Sequence, residues 1–396
     1  MNAEPSRESA VTAPASAPAA GSAPSPAALP APAAPVSAAV SLAAPLPVTV
    51  LTGFLGSGKT TLLNALLRRP ELSDTAVLIN EFGEVGLDHL LVGRLDERTV
   101  LLASGCVCCS IRTDLAQALA QLLLARERAE VPPFTRLIVE TTGLADPAPI
   151  LHTLLAEPML AERCRLQGVV TAVDAVHGAA QLSRHFESLK QAAVADLLVL
   201  TKTDLAEPEA IARLERKLDR INPGAVRVRA VAGELDPARL LGLGLYDPGS
   251  RGADVRRWLR DEALRPPARA SDPADGAPDR SRHGDAIHSF VLCFDEPLDW
   301  DGLMAAFEML TSVAGDALLR VKGVIDVAGG APRVLHVVQH QMYPPVTLDR
   351  WPSHWDGGGE TPGTRRSRIV FIVRQLSRDY VSSAFAHFVA APAAQD

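Results

Sequence analysis

The sequence lacks long apolar runs, a surplus of positive charge and a large number of cysteines, and each absence excludes a class of protein. No apolar stretch approaches the roughly 18 to 20 residues that a membrane-spanning helix requires. The formal net charge of -7 argues against a general binder of nucleic acid or membrane surfaces, since both need clustered Lys and Arg. Five cysteines in 396 residues do not make a disulfide framework and indicate a reducing compartment. We therefore expect a cytoplasmic protein without nucleic-acid or membrane partners.

The composition changes along the chain and predicts its domains. Residues 1–46 are mostly Ala, Pro and Ser, which are too poor in large apolar groups to fold, so we expect a disordered tail. A signal peptide is the alternative, but Glu4 and Glu8 stand where such a segment carries positive charge. The predicted parts are a tail at 1–46, a phosphate-binding domain at 47–240, a linker region at 241–283 and a C-terminal domain at 284–392.

The predicted fold class is α/β, with a smaller α+β domain after it. Short apolar, β-branched runs alternate with helical patterns from Val48 to about Ala232, as in a mostly parallel sheet covered by helices. Beyond the linker, strands come in runs, which favours antiparallel pairing. The strands predicted in the first domain are Val48–Leu51, Thr75–Ile79, Leu137–Val139, Gly168–Val173, Leu197–Leu200 and Val226–Ala230, and the helices are Thr60–Leu67, Ile111–Arg128, Gln181–Ala193 and Glu207–Arg220. Those predicted in the second are strands Ile287–Phe294, Leu318–Val327, Arg333–His340 and Ser367–Val373 and helix Trp300–Thr311.

A glycine-rich motif, G-x-x-x-x-G-K-[ST], follows the first predicted strand at residues 53–60. Its glycines let successive backbone N–H groups converge on a polyphosphate at the positive end of the next helix. Lys59 can then reach the β- and γ-phosphates, and the Thr60 hydroxyl can coordinate Mg²⁺. A chance glycine-rich turn is the alternative, which the flanking strand and helix disfavour. The nucleotide-binding residues predicted here are Gly53, Gly56, Ser57, Gly58, Lys59, Thr60 and Thr61.

Two acidic segments follow other predicted strands. Glu140 ends an apolar strand, where a carboxylate can ligate Mg²⁺ directly or through water, although a surface Glu closing a strand is the plain alternative. The segment 80–88, which contains Glu81, is either an ordinary turn or a mobile loop whose carboxylates reach Mg²⁺ or position the attacking water. Lys59, Glu81 and Glu140 are thus the predicted catalytic residues, and Thr60, Glu81 and Glu140 the predicted Mg²⁺ ligands.

A later strand leads into Thr201-Lys202-Thr203-Asp204, a near match to the Asn-Lys-x-Asp guanine reader. A carboxylate such as Asp204 can accept both the N1–H and the N2–H₂ of guanine, a pair of donors that adenine does not offer. Thr201 stands where that motif has an Asn that braces the loop. We predict that Thr201, Lys202 and Asp204 bind GTP; an ATP-dependent small-molecule kinase is the alternative that this pattern disfavours.

Three of the cysteines lie within four residues, at Cys106, Cys108 and Cys109. Three thiolates suit one borderline-soft cation such as Zn²⁺, and the open fourth position suits a site that transfers its metal. A redox pair is the rival interpretation. The remaining cysteines, Cys164 and Cys293, lie in apolar surroundings and are predicted to be in the core. Scattered histidines such as His283, His288, His336 and His340 are more often structural than ligands.

Together, these motifs closely resemble the CobW family of P-loop GTPases, relatives of the nickel-insertion GTPases HypB and UreG. The resemblance implies that the chain hydrolyses GTP, binds Zn²⁺, or Co²⁺ in some members, through the cysteine segment, and couples nucleotide state to metal delivery to a client metalloprotein. The alternative function is a nucleotide-gated interaction module with a structural zinc. The matching segments are Gly53–Asn64, Asn80–Gly83, Gly105–Cys109, Glu140–Pro147, Thr201–Asp204, His288–Phe290, Leu318–Gly323 and Ser367–Ile372.

Overall fold

The computed structural model describes residues 45–80, 101–103, 111–243, 287–349, 351 and 365–389. Residues 1–44 of the predicted tail, the 81–88 segment with Glu81, the cysteines at 106, 108 and 109, and all but the first three residues of the predicted linker lie outside the described residues. Within them, no helix is both long and apolar enough to cross a bilayer.

Seven strands in the described part of the chain form one sheet in which every neighbouring pair is parallel. The strands are β1 (Leu46–Gly53), β2 (Thr75–Asn80), β3 (Leu101–Ala103), β4 (Arg136–Thr141), β5 (Cys164–Asp174), β6 (Leu197–Thr201) and β7 (Val226–Arg229). Their order across the sheet is β3-β2-β4-β1-β5-β6-β7. Central strands such as β1 and β6 are buried along nearly their whole length, because helices cover both faces. The predicted parallel sheet is confirmed.

The helices of this domain are α1 (Lys59–Leu67), α2 (Ile111–Glu127), α3 (Ala148–Ala156), α4 (Pro158–Arg163), α5 (Gly178–Arg184), α6 (Phe186–Ala193), α7 (Pro208–Ile221) and α8 (Pro237–Leu241). They bury apolar side chains against the sheet, as Leu62 and Leu66 of α1 do against Val170 and Val199. Burial of such a side chain stabilises a fold by roughly 1.5–3 kcal/mol. Because all seven strands run in the same direction, their carboxyl ends lie at one edge of the sheet, between these helices.

One predicted helix, Gln181–Ala193, is wrong. The chain forms α5 and α6 instead, with His185 in an extended conformation between them (φ -123°, ψ 118°). The His185 ring stacks on Phe54 at a centroid distance of 4.6 Å, so a contact distant in sequence accompanies the break. Neither Pro nor Gly marks that break in the sequence.

The C-terminal region forms an antiparallel sheet, which confirms the predicted α+β class. Its elements are β8 (Ile287–Phe294), α9 (Trp300–Ala314), β9 (Leu318–Ile325), β10 (Arg333–Val338), β11 (Gln341–Met342), β12 (Val346–Thr347), β13 (Ser367–Arg374) and α10 (Arg378–Val389). The strand order is β11-β10-β9-β13-β8, with β12 beside β10. Helices α9 and α10 cover one face, where the rings of Phe307, Phe371 and Phe385 pack together.

The other face of this sheet meets the parallel-sheet domain through a charged cluster. The buried Arg320 of β9 donates hydrogen bonds to the Val194 carbonyl and to Asp196, just beyond α6. The Lys322 ammonium lies 3.0 Å from the same Asp196 oxygen. Burial alone would raise the pKa of Asp196, but these two cations hold it well below its usual range. Burial and the charge of Arg320 in turn lower the pKa of Lys322 to about 8.

Candidate nucleotide-binding site

The glycine loop turns sharply between β1 and α1. Gly53 has a φ of +145°, and a Cβ there would lie 2.4 Å from the carbonyl oxygen of Ala172 on β5, so only glycine fits. Lys59 is the first residue of α1, and its Nζ lies 3.0 Å from the Gly53 carbonyl oxygen, folded over the loop. The loop therefore places an ammonium group and the N-terminus of a helix at one point, as phosphate binding requires.

Thr60 and Glu140 meet at the edge of the sheet. The Thr60 hydroxyl donates a hydrogen bond to Glu140 Oε1 at 3.2 Å, and Glu140 is only 5% exposed. Glu140 reaches this position because β4 pairs with β1, with Glu140 opposite Leu51. Two oxygen donors this close fit a hard cation such as Mg²⁺.

The loop after β4 lies directly against the glycine loop. A Cβ on Gly143 would lie 2.7 Å from backbone atoms of Leu55, so a larger residue would force the two loops apart. On its other side, the Gln191 amide of α6 donates hydrogen bonds to the carbonyls of Gly143 (3.2 Å) and Ala145 (3.0 Å). We call residues 140–146 the strand-end loop.

Thr201 joins the predicted guanine-reading segment to the glycine loop. Its hydroxyl donates to the carbonyl of Ser57 at 2.7 Å and lies 3.3 Å from that of Val173. Lys202 has a φ of +56°, and its Nζ donates to the carbonyl of Gly56 at 2.7 Å. Thr201 thus forms a brace of the kind that the motif's Asn supplies, while Asp204 stands exposed in the next turn.

Sequence reasoning missed Asp174, the last residue of β5. Its carboxylate accepts hydrogen bonds from Lys202 Nζ (2.8 Å) and from the amides of Val176 (2.7 Å) and His177 (3.0 Å). Burial alone would raise the pKa of Asp174, but these hydrogen bonds outweigh it and lower the pKa. Asp174 therefore remains ionised and fixes the Lys202 side chain. An acidic residue at the end of an apolar strand was the available signal.

The loop after β7 was missed as well. Ala232 and Glu234 line a cleft of about 570 Å³ together with Thr60, Thr61 and Asn64 of α1. This loop follows the carboxyl end of a parallel strand, where such sheets bind ligands. Its position after the predicted strand could therefore have identified it from the sequence.

The predicted ligands Glu81, Cys106, Cys108 and Cys109 lie outside the described residues. Within the described ranges, no group of three or more His, Cys, Asp or Glu residues could hold a metal ion. His336 is buried against Tyr343, and His340 hydrogen-bonds Asp316. Cys164 is buried as predicted, and burial raises the pKa of its thiol to about 11. The core prediction for Cys293 is wrong, because β8 is an edge strand and Cys293 is exposed on it.

A glycine loop between a parallel strand and a helix, with an acidic strand end beside it, defines a P-loop nucleoside triphosphatase. Residues 47–229 match the CobW/HypB/UreG nucleotide-binding domain, and residues 287–389 match the C-terminal domain of the cobalamin synthesis protein CobW. The chain belongs to the CobW/HypB/UreG family of P-loop GTPases, which confirms the resemblance found in the sequence.

Two relatives each match more than four fifths of the chain. The zinc chaperone YjiA of Escherichia coli K12 is 36% identical over 343 residues, which are 86% of this chain and 98% of YjiA. The zinc chaperone CobW of a Sinorhizobium species is 29% identical over 353 residues, covering 81% of this chain and 91% of that protein. The crystal structure of Zn(II)-bound YjiA GTPase from E. coli has a TM-score of 0.59 at 29% identity, covering 87% of this chain and 99% of that one.

Proposed function

We propose that the protein hydrolyses GTP and uses the nucleotide cycle to bind Zn²⁺ and deliver it to a client metalloprotein. One observation carries this proposal. The segment that contains the three clustered cysteines connects the end of β3 to the start of α2, and β3 ends at the same sheet edge as the Thr60–Glu140 pair. Because parallel sheets bind ligands at this edge, we infer that a metal bound by that segment would respond to the nucleotide held beside Thr60 and Glu140.

Each predicted site residue has a proposed role in GTP hydrolysis. Lys59 neutralises charge on the transferred phosphoryl group, and Asp204 reads guanine while Thr201 and Lys202 brace the loops. Thr60 and Glu140 would hold Mg²⁺, which would supply positive charge to neutralise the phosphates. Glu81 or Glu140 positions the attacking water.

The zinc assignment rests on the chemistry of the cysteines and on the relatives. Three thiolates suit Zn²⁺, and they accept Co²⁺ as well. The relatives YjiA and CobW are named zinc chaperones. A zinc-bound structure of a YjiA variant with one glutamate and two cysteines replaced by alanine, similar to this chain at a TM-score of 0.60 and 30% identity, shows zinc bound there without those cysteines. The number of zinc sites must therefore be measured as well as their affinity.

The test compares two cysteine variants in a competition titration against a chromogenic chelator. A structural zinc site yields about 10–16 kcal/mol, so one lost thiolate should weaken zinc binding by roughly a hundredfold. We expect this loss in Cys106→Ser but not in Cys293→Ser, a matched control on the exposed edge strand. Unchanged affinity in Cys106→Ser would refute the cysteine site. If chelation instead lowers the thermal stability and the metal exchanges slowly, the interaction module with a structural zinc becomes the better account.

A further inference from the structure

Helix α6 touches the nucleotide site along one side. His185, directly before the helix, stacks on Phe54 of the glycine loop. Lys190 forms a 2.7 Å ion pair with Asp146, at the end of the strand-end loop. This short helix therefore contacts both loops that surround the Thr60–Glu140 pair.

Gln191 makes the most direct of these contacts. Its side chain is completely buried, and its amide nitrogen donates to two carbonyls of the strand-end loop, those of Gly143 and Ala145. A buried side chain that bridges two carbonyls two residues apart fixes the path of the backbone between them, and breaking both bonds would leave the buried Gly143 carbonyl unsatisfied. The same backbone leads to Glu140 at one end and packs on Leu55 at Gly143.

The far end of α6 is held by the C-terminal domain. Arg320 of β9 donates to the Val194 carbonyl, which directly follows the helix. Leu319 and Ile372 of the antiparallel sheet belong to the same apolar cluster as Leu189, Ala192 and Ala193 of α6. At the near end of the helix, the guanidinium of Arg374 lies over the ring of Phe186, the first residue of α6, at 4.7 Å.

From these contacts we propose that Gln191 is a positioning residue for GTP hydrolysis, and that α6 makes the rate of hydrolysis depend on the C-terminal domain. Gln191 holds the strand-end loop against the glycine loop, next to the Thr60–Glu140 pair, and the C-terminal domain holds the helix that carries Gln191. The inference rests on the GTPase activity proposed above and names its regulation: a partner that moves the C-terminal domain would change the turnover rate.

The first experiment replaces Gln191 by Met, which has a similar size and cannot donate. The steady-state kcat for GTP, the Kd for GDP and the melting temperature are measured on the full chain. The matched control is Gln167→Met, which removes the same amide from a 3.0 Å hydrogen bond to the Leu241 carbonyl, away from both loops. Because misplacement of about 1 Å can cost up to a hundredfold in rate, we expect kcat to fall roughly tenfold or more in Gln191→Met.

The proposal requires that Gln191→Met lower kcat while the Kd for GDP stays within about twofold, and that Gln167→Met leave kcat unchanged. Equal kcat values in the two variants would overturn it. If Gln191→Met does not fold, Lys190→Met takes its place, since it frees Asp146 of the same loop; a wild-type kcat there would likewise overturn the proposal.

A double-mutant cycle tests the dependence on the C-terminal domain. Arg320→Met should change kcat at least threefold in the wild-type background and less than 1.5-fold in the Gln191→Met background, because the path through Gln191 is already cut. Arg374→Met serves if Arg320→Met does not fold. The same factor in both backgrounds would refute the coupling. These experiments contain no zinc, so their failure leaves the zinc proposal intact, whereas a wild-type protein that does not hydrolyse GTP would refute the proposed function itself.

Discussion

Thr201→Val removes one hydroxyl at nearly constant volume and tests whether the brace between the guanine-reading segment and the glycine loop serves nucleotide binding. The hydroxyl is buried and donates to the Ser57 carbonyl at 2.7 Å. Its loss leaves that buried acceptor without this donor, which costs roughly 1–2 kcal/mol. If this free energy destabilises only the GDP-bound state, the affinity for GDP decreases about 5- to 30-fold.

The assay is displacement of a fluorescent GDP analogue, with thermal unfolding measured in parallel. Thr153→Val is the matched control, because the Thr153 hydroxyl is also buried and donates to a carbonyl, that of Pro149, but inside helix α3. It should lower the melting temperature without changing the Kd for GDP. The variant Thr201→Asn retains a donor, so its affinity for GDP should be higher than that of Thr201→Val. A Kd for GDP within twofold of wild type in Thr201→Val would refute the role of the brace.

Two further predictions concern the strand-end loop and the contact between the domains. Gly143→Ala places a Cβ 2.7 Å from the backbone of Leu55 and should push the two loops apart. We expect kcat for GTP to fall roughly tenfold, with a smaller change in the Kd for GDP. A wild-type kcat would contradict the role of this contact in hydrolysis. Burial, with Arg320 and Lys322 nearby, lowers the pKa of His336 well below its usual value. Below about pH 6.5, His336 then takes up a proton in the unfolded chain but not in the folded one. The free energy of unfolding should therefore fall by up to about 1.4 kcal/mol for each unit by which the pH is lowered. His336→Phe should flatten this dependence between pH 7.5 and 5, and superimposable melting profiles would refute it.

The central strands of the parallel sheet could be predicted because they are buried on both faces, which leaves apolar, β-branched runs such as Val48–Leu51 and Leu197–Leu200 in the sequence. The glycine loop could be predicted for a different reason: its chemistry is local, so eight consecutive residues contain most of the phosphate-binding geometry. Short helices such as α4 left no comparable signal, since six residues give too little periodicity to recognise.

Other features depend on partners that are distant in the sequence. Gln191 bonds carbonyls 46 and 48 residues away, and nothing around it distinguishes it from a polar residue on a helix surface. The break at His185 has no Pro or Gly to mark it, and a ring contact with Phe54 accompanies it. Cys293 has apolar neighbours in sequence, but alternation on an edge strand turns it outward, so the composition of its surroundings was misleading.

The most direct test of the account is the affinity for Zn²⁺ measured in the presence of Mg²⁺, first with GDP and then with a non-hydrolysable GTP analogue. If nucleotide state controls metal delivery, the analogue should change zinc affinity by about tenfold or more, a coupling free energy of roughly 1.4 kcal/mol, with the tighter binding in the GTP form. Equal zinc affinities in the two states would contradict the account, because the nucleotide could then not drive the transfer of the metal.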